Sequence, residues 1–227
     1  MLLQNYLRLF GGRINLLAID PGFQYTGWAA FRCDSFNGSY LSHHGLVESP
    51  QTPDIYSSVR IISDRMAAVA LEMQPRMVVI EHPPDTVYGQ KLLSKDAIIG
   101  RMAKMFKVIA VCYALAEALH QHESMRMVKF IYPGQWQERS WKKRLKECGS
   151  KEMKKWSMSR ANHVISYASI LEHRTHLNTV KEQNTADAIT IGARTIALMS
   201  EDKLDPHKCW AVPVGTDQDY RDIDYDE

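Results

Sequence analysis

Cysteine is sparse in this chain. Cys33, Cys112, Cys148 and Cys209 are scattered and form no Cys-x-x-Cys pair, which argues against a zinc site and leaves no disulfide framework. Long apolar runs are absent as well: nothing approaches the ~18 residues that a membrane-spanning helix needs. The opening MLLQNYLRLF lacks the basic lead and long apolar stretch of a secretory signal. The expectation is a cytoplasmic protein with no membrane contact. Net charge is almost absent too, at a formal +2, but its distribution is uneven. Nine Lys or Arg face two Glu between Arg139 and Arg160, and six acids face the single Arg221 from Asp217 onward. A local basic patch can hold phosphates even when the total is near zero, although a run of this kind also serves as a solvated helix face.

What is present is a mixed pattern of strands and helices. INLLAID (14–20) is a short apolar run that stops at Pro21-Gly22, a strong turn signal. YTGWAAFRC (25–33) and SYLSHHGLVE (39–48) follow, separated by the hairpin pair Asn37-Gly38. Three strands with tight connections predict an antiparallel meander. The period then changes: Val59, Ile62, Met66, Val69 and Met73 share one helical face over 55–73. MVVIE (77–81) is a compact apolar strand closed by one acid. Residues 94–121 form a long helical pattern whose seam (Ile98, Met102, Met105, Ile109, Cys112, Ala116, Leu119) suits a sheet or a partner subunit. MVKFIYP (127–133) reads as a fifth strand, with helices expected over 159–172 and 185–199. The predicted fold is α/β, a five-stranded mixed sheet (an antiparallel three-strand meander plus two parallel strands) flanked by helices. Residues 1–13 read as a lead-in, 14–201 as the domain, and 202–227 as a loosely ordered acidic tail.

Three acids occupy positions that invite a site. Asp20 and Glu81 each end an apolar strand, and ligands of such sheets bind beyond the carboxyl ends of strands. Asp187 lies early in a helix between Ala186 and Ala188, small enough to let that helix approach a sheet closely. Each acid alone has a plainer role, as a turn cap for Asp20, a solvent-facing strand end for Glu81, or a dipole partner or capping box with Asn184 for Asp187. Together they form a set of hard oxygen donors. Such a cluster suits Mg²⁺, with Mn²⁺ as substitute, and two ions ~3.5–4 Å apart support phosphodiester hydrolysis.

These residues resemble the RuvC branch of the RNase H-like superfamily. LLAIDPGFQYTGWAAF is similar to the first strand, DPG turn and second strand of those Holliday junction resolvases; MVVIEHPP resembles their strand with the catalytic Glu, and NTADAITIGARTIAL their last helix. The resemblance covers roughly 14–199. It implies an RNase H-like fold and a homodimer that binds four-way DNA junctions and cuts them with two metal ions, and it carries Asp20, Glu81 and Asp187 over as catalytic metal ligands. Asn184 departs from the pattern, standing where a fourth carboxylate or a histidine is expected; its amide oxygen is a weak ligand, and Glu182 is an off-register substitute. The stretch 133–182 is long for a cellular RuvC, which fits a phage or other viral variant.

Junction binding of that kind rests on shape and phosphates. The candidate DNA contacts are Tyr88, Lys91, Lys95, Arg101, Lys104, Lys142, Lys143, Lys151, Lys154 and Lys155, with Tyr88 placed to stack on an unpaired base. Trp136, Trp141 and Trp156 suit helix-core packing or stacking, and His163 a structural role. Other readings stay open: an RNase H-like nuclease for other branched DNA or RNA–DNA hybrids, a junction-binding protein with impaired chemistry, and an actin-like ATPase, for which no second Asp-x-Gly strand is present.

Overall fold

The computed structural model describes residues 7, 11–34, 38–50, 54–83, 95–121, 125, 127–136, 154–168, 180–201 and 212–213. Strands β1 (Arg13–Asp20), β2 (Tyr25–Asp34) and β3 (Gly38–Glu48) form the predicted meander. Helix α1 (Ile55–Met73) crosses over to β4 (Met77–Glu81), which pairs parallel with β1. Helix α2 (Lys95–His120) crosses to β5 (Met127–Ile131), parallel to β4. A four-residue helix α3 (Pro133–Trp136) leaves β5; helix α4 (154–168) and helix α5 (Gln183–Ser200) complete the helices described here. The order β3-β2-β1-β4-β5 is that of an RNase H-like sheet, and a two-residue β6 (Val212–Pro213) extends it antiparallel to β5. That last pairing falls in the stretch expected as a tail. Pro213 lies on an edge strand, where proline is tolerated.

Alternation along the strands divides the core in two. Ile14, Leu16 and Ala18 of β1 and Met77 and Val79 of β4 pack with Ala186, Ala188, Ile189 and Ile191 of α5. Leu17 and Ile19, with Val78 and Ile80, pack on the other face with Ile62, Met66 and Ala70 of α1 and Val111, Cys112, Leu115 and Leu119 of α2. The period of two then decides where the terminal acids go: Asp20 and Glu81 continue the face that α5 covers.

Helix boundaries differ from expectation in two places. Helix α4 already runs at residue 154, inside the segment read only as basic, because Lys154 and Lys155 are exposed while Ser157, Ala161, Ile165 and Ala168 turn inward. Helix α5 begins at Gln183 with Glu182 as N-cap residue, so Asn184 is not the cap and Asp187 lies beyond the first turn. The seam read along α2 also divides. Cys112 and Leu119 are buried, but Met102 is exposed, as are Ile99, Phe106 and Tyr113. The lead-in contributes Leu7, which is buried in the α5-side core.

The contact that sets α5 against the sheet is at Gly27, the β2 residue paired with Asp20. A Cβ at Gly27 would collide with the backbone of Asn184 and Thr185. Thr185 Oγ1 donates to the Gly45 carbonyl at 3.1 Å and Asn184 Nδ2 to the Tyr25 carbonyl at 2.9 Å, which ties the start of the helix to β2 and β3. Gly27→Ala is expected to push this helix end away and lower stability by about 1–3 kcal/mol, the usual cost of overpacking, read as a lower midpoint in denaturant unfolding.

Candidate active site

Asp20 and Glu81 end adjacent parallel strands. The register pairs Ile19 with Ile80, so the next residues along, both pointing to the α5 face, stand side by side. Their carboxyl groups share a hydrogen bond, and the charge of Asp187 acts on both. All three residues are partly buried. Burial, then the charges of Glu81 and Asp187, hold the Asp20 carboxyl well above the usual carboxylate range. Burial pushes Glu81 up to about 7, against hydrogen bonds from Trp136 and Asp20 that favour its charged form. Asp187 is raised by burial and held down by Ser157, Gln183 and, through charge, Lys154.

Neutral donors hold two of the acids. The Trp136 indole Nε1–H donates to Glu81 Oε1 at 2.9 Å. Gln183 Nε2 reaches Asp187 Oδ1 and Oδ2 at 2.8 and 2.9 Å, and the Ser157 hydroxyl also donates to Asp187 Oδ1. Gln183 was not singled out in the sequence, though its place four residues before Asp187 is the i, i+4 spacing that could have signalled it. Ser157 carried no signal in the sequence, and Trp136 was read as core or stacking surface; it is indeed buried in the α5-side core, with its polar edge committed to Glu81. On the opposite side Cys112 Sγ donates to the Glu81 carbonyl at 3.4 Å. Burial and the nearby carboxylates raise the Cys112 pKa, so this thiol is a neutral prop.

The donor chemistry fits a hard divalent cation. Carboxylates pressed together at the edge of a core repel one another unless they keep a proton or gain a cation. Among the described residues no three His, Cys, Asp or Glu side chains stand close enough together to hold a metal ion between them. Asp20 and Glu81 touch, while Asp187, gripped by Ser157 and Gln183, acts on them through its charge. Asn184, the expected weak fourth ligand, has its amide nitrogen on the Tyr25 carbonyl. Of the expected DNA contacts, Lys104, Lys154 and Lys155 are exposed, and Lys154 is close enough to act on Asp187. Lys95 and Arg101 lie on α2. Tyr88, Lys91, Lys142, Lys143 and Lys151 lie outside the described residues. His163 is an exposed residue of α4, lining a groove with Phe31, Leu41 and Ile196.

No protein-family profile matches the chain, and no curated protein sequence does. Solved structures match over most of its length. The Thermus thermophilus RuvC structure is 20% identical at a TM-score of 0.52, covering 84% of this chain and 98% of that one. RuvC of the same organism in complex with a Holliday junction substrate is 17% identical at 0.48, again covering 84% and 98%. The yeast mitochondrial Holliday junction resolvase is 10% identical at 0.49, covering 83% and 82%. The likeness that carries weight is the first, and it is one of fold: the chain is RNase H-like, with acids at the carboxyl ends of its central strands.

The pH dependence of the metal-free protein follows from Glu81. Its pKa is raised from 4.5 to about 7 in the folded state, so the folded chain binds more protons than the unfolded chain between those values. The stability linked to this proton is full below pH 4.5 and lost as pH rises through 7. Thermal melting in EDTA is expected to fall over that window, and Glu81→Gln to flatten the dependence; an unchanged slope in the variant would contradict the assignment.

Proposed function

We propose that the chain is a structure-selective endonuclease that hydrolyses phosphodiester bonds in four-way DNA junctions using divalent metal ions. The observation that carries this reading is the contact between Asp20 and Glu81 at the ends of neighbouring central strands, with Asp187 in electrostatic reach on the helix that packs over them. The motif resemblance to RuvC-type resolvases adds the junction as substrate. Asp20, Glu81 and Asp187 would hold Mg²⁺ or Mn²⁺, two ions in the full proposal, with Asn184 at most a weak ligand. Bound there, such ions supply an attacking water at neutral pH and neutralise the leaving oxygen.

The chain's own residues orient the site. Trp136 fixes one oxygen of Glu81, and Gln183 and Ser157 fix Asp187. Exposed Lys154 beside Asp187 suits a phosphate of the incoming backbone, and Lys104 and Lys155 extend the positive surface. The cytoplasm of a bacterial or phage-infected cell, where recombination and replication leave such junctions, is the proposed setting.

Homodimerisation belongs to the same proposal. Ile99, Met102, Phe106 and Tyr113 are exposed on α2 at spacings of three, four and seven, an apolar stripe that a second copy would cover. Two copies would place two sites on one junction. A competing reading, a junction binder with impaired chemistry, draws on Asn184, a neutral amide where the resemblance expects a fourth carboxylate or a histidine.

Cleavage decides between these. With Mg²⁺ or Mn²⁺ the protein is expected to nick a labelled four-way junction symmetrically in preference to an RNA–DNA hybrid. Asp20→Asn should abolish cutting while leaving junction affinity in Ca²⁺ nearly intact. Binding without cutting by the wild type, in either metal, would instead support the impaired binder. Phe106→Glu is expected to convert a dimer to a monomer in sedimentation; a wild type that sediments as a monomer at micromolar concentration would remove the dimer from the proposal.

A further inference from the structure

We infer that Trp136 is a positioning residue for the metal-binding carboxylate Glu81, an assignment that rests on the nuclease reading above. Several features place it there. Trp136 is the last residue of α3, which leaves β5 directly. β5 is the parallel neighbour of β4, with Ile131 opposite Glu81. The short helix thus returns the chain over the end of the strand that carries the acid. The indole body is buried with Ile131 and Val79, which leaves its ring little rotational freedom. Its one polar group then meets Glu81 Oε1 at 2.9 Å.

An indole N–H is a donor only, and it does not titrate in the accessible range. It therefore steadies the carboxylate in its charged form without competing for a cation as Lys or Arg would. It also commits one oxygen of Glu81 in direction, so the other lone pairs face the space shared with Asp20. Without it Glu81 keeps its burial and its repulsive neighbours but loses its fixed donor, and its rotamer is free to turn. Outer-shell partners of this kind typically contribute 10–100-fold to metal affinity or activity. Trp136 also stands immediately before the basic stretch that carries Lys142, Lys143 and Lys151. The catalytic carboxylate is thereby tied to the base of the segment expected to meet DNA.

Trp136→Phe keeps the aromatic body and removes the donor. Mn²⁺ affinity of the full chain, measured by calorimetry without DNA, is expected to weaken by about 10–100-fold. The maximal cleavage rate should fall comparably, with junction affinity in Ca²⁺ unchanged because the residue touches the acid and not the DNA. Trp136→His, which restores an N–H, should recover part of both. Wild-type Mn²⁺ affinity in Trp136→Phe would overturn the inference, as would a loss confined to junction binding. If that variant fails to fold, the indole N–H resonance of Trp136 in the wild type provides the second measurement. It should move in Glu81→Ala, and an unmoved resonance overturns the assignment. Failure of the wild type to cut any DNA would end the nuclease reading alone, since Mn²⁺ affinity and the indole resonance are read without a substrate.

Discussion

Two carboxylates held against each other at the edge of a hydrophobic core are a costly arrangement, and much of the surrounding described structure accommodates them. Asp20 and Glu81 sit at the end of two strands whose preceding residues are almost entirely buried. Water on one side does not fully compensate their charge, so both are pushed toward the protonated form. A soluble fold gains nothing in stability from such a pair. Its place at the carboxyl ends of neighbouring parallel strands, where open α/β sheets leave room for a ligand, is the physical basis for proposing it as a site for a cation and a phosphate.

The neighbouring elements serve that pair in distinct ways. Gly27 lets α5 approach the strand beside Asp20 closely, bringing Asp187 within electrostatic reach. Trp136 and the pair Ser157 and Gln183 satisfy carboxylate oxygens with neutral donors. Neutral donors fix direction without compensating the negative charge of the acids. A Lys or Arg in their place would compensate that charge. Lys154 stands outside that inner set, acting on Asp187 from an exposed position. That division, neutral groups inside and cations at the rim, suits a polyanionic substrate approaching from solvent.

Much of the architecture was legible because it depends on local periodicity. The meander, both crossovers and the long second helix follow from period-two and period-3.6 apolar patterns punctuated by Pro21-Gly22 and Asn37-Gly38. The two strand acids were legible for the same reason, since a charged residue ending an apolar strand is conspicuous. Helix starts were less so. Lys154 and Lys155 disguised a helical stretch of α4 as a charge run, and Asn184, the second residue of α5, resembled a cap because a cap is recognised in sequence only by residue type. The role of Trp136 was not legible at all: an indole in sequence carries no sign of which acid its N–H will meet.

The sequence by itself determined the order of the first five strands and the two crossover helices, and placed Asp20 and Glu81 at strand ends, because alternation of apolar side chains is a property of neighbouring residues. Tertiary structure alone decided that Asp20 and Glu81 touch, that Asp187 stands back in the grip of Ser157 and Gln183, and that Asn184 turns to Tyr25. Those outcomes depend on strand register and on how closely one helix can approach a glycine, and both arise between segments far apart in the chain.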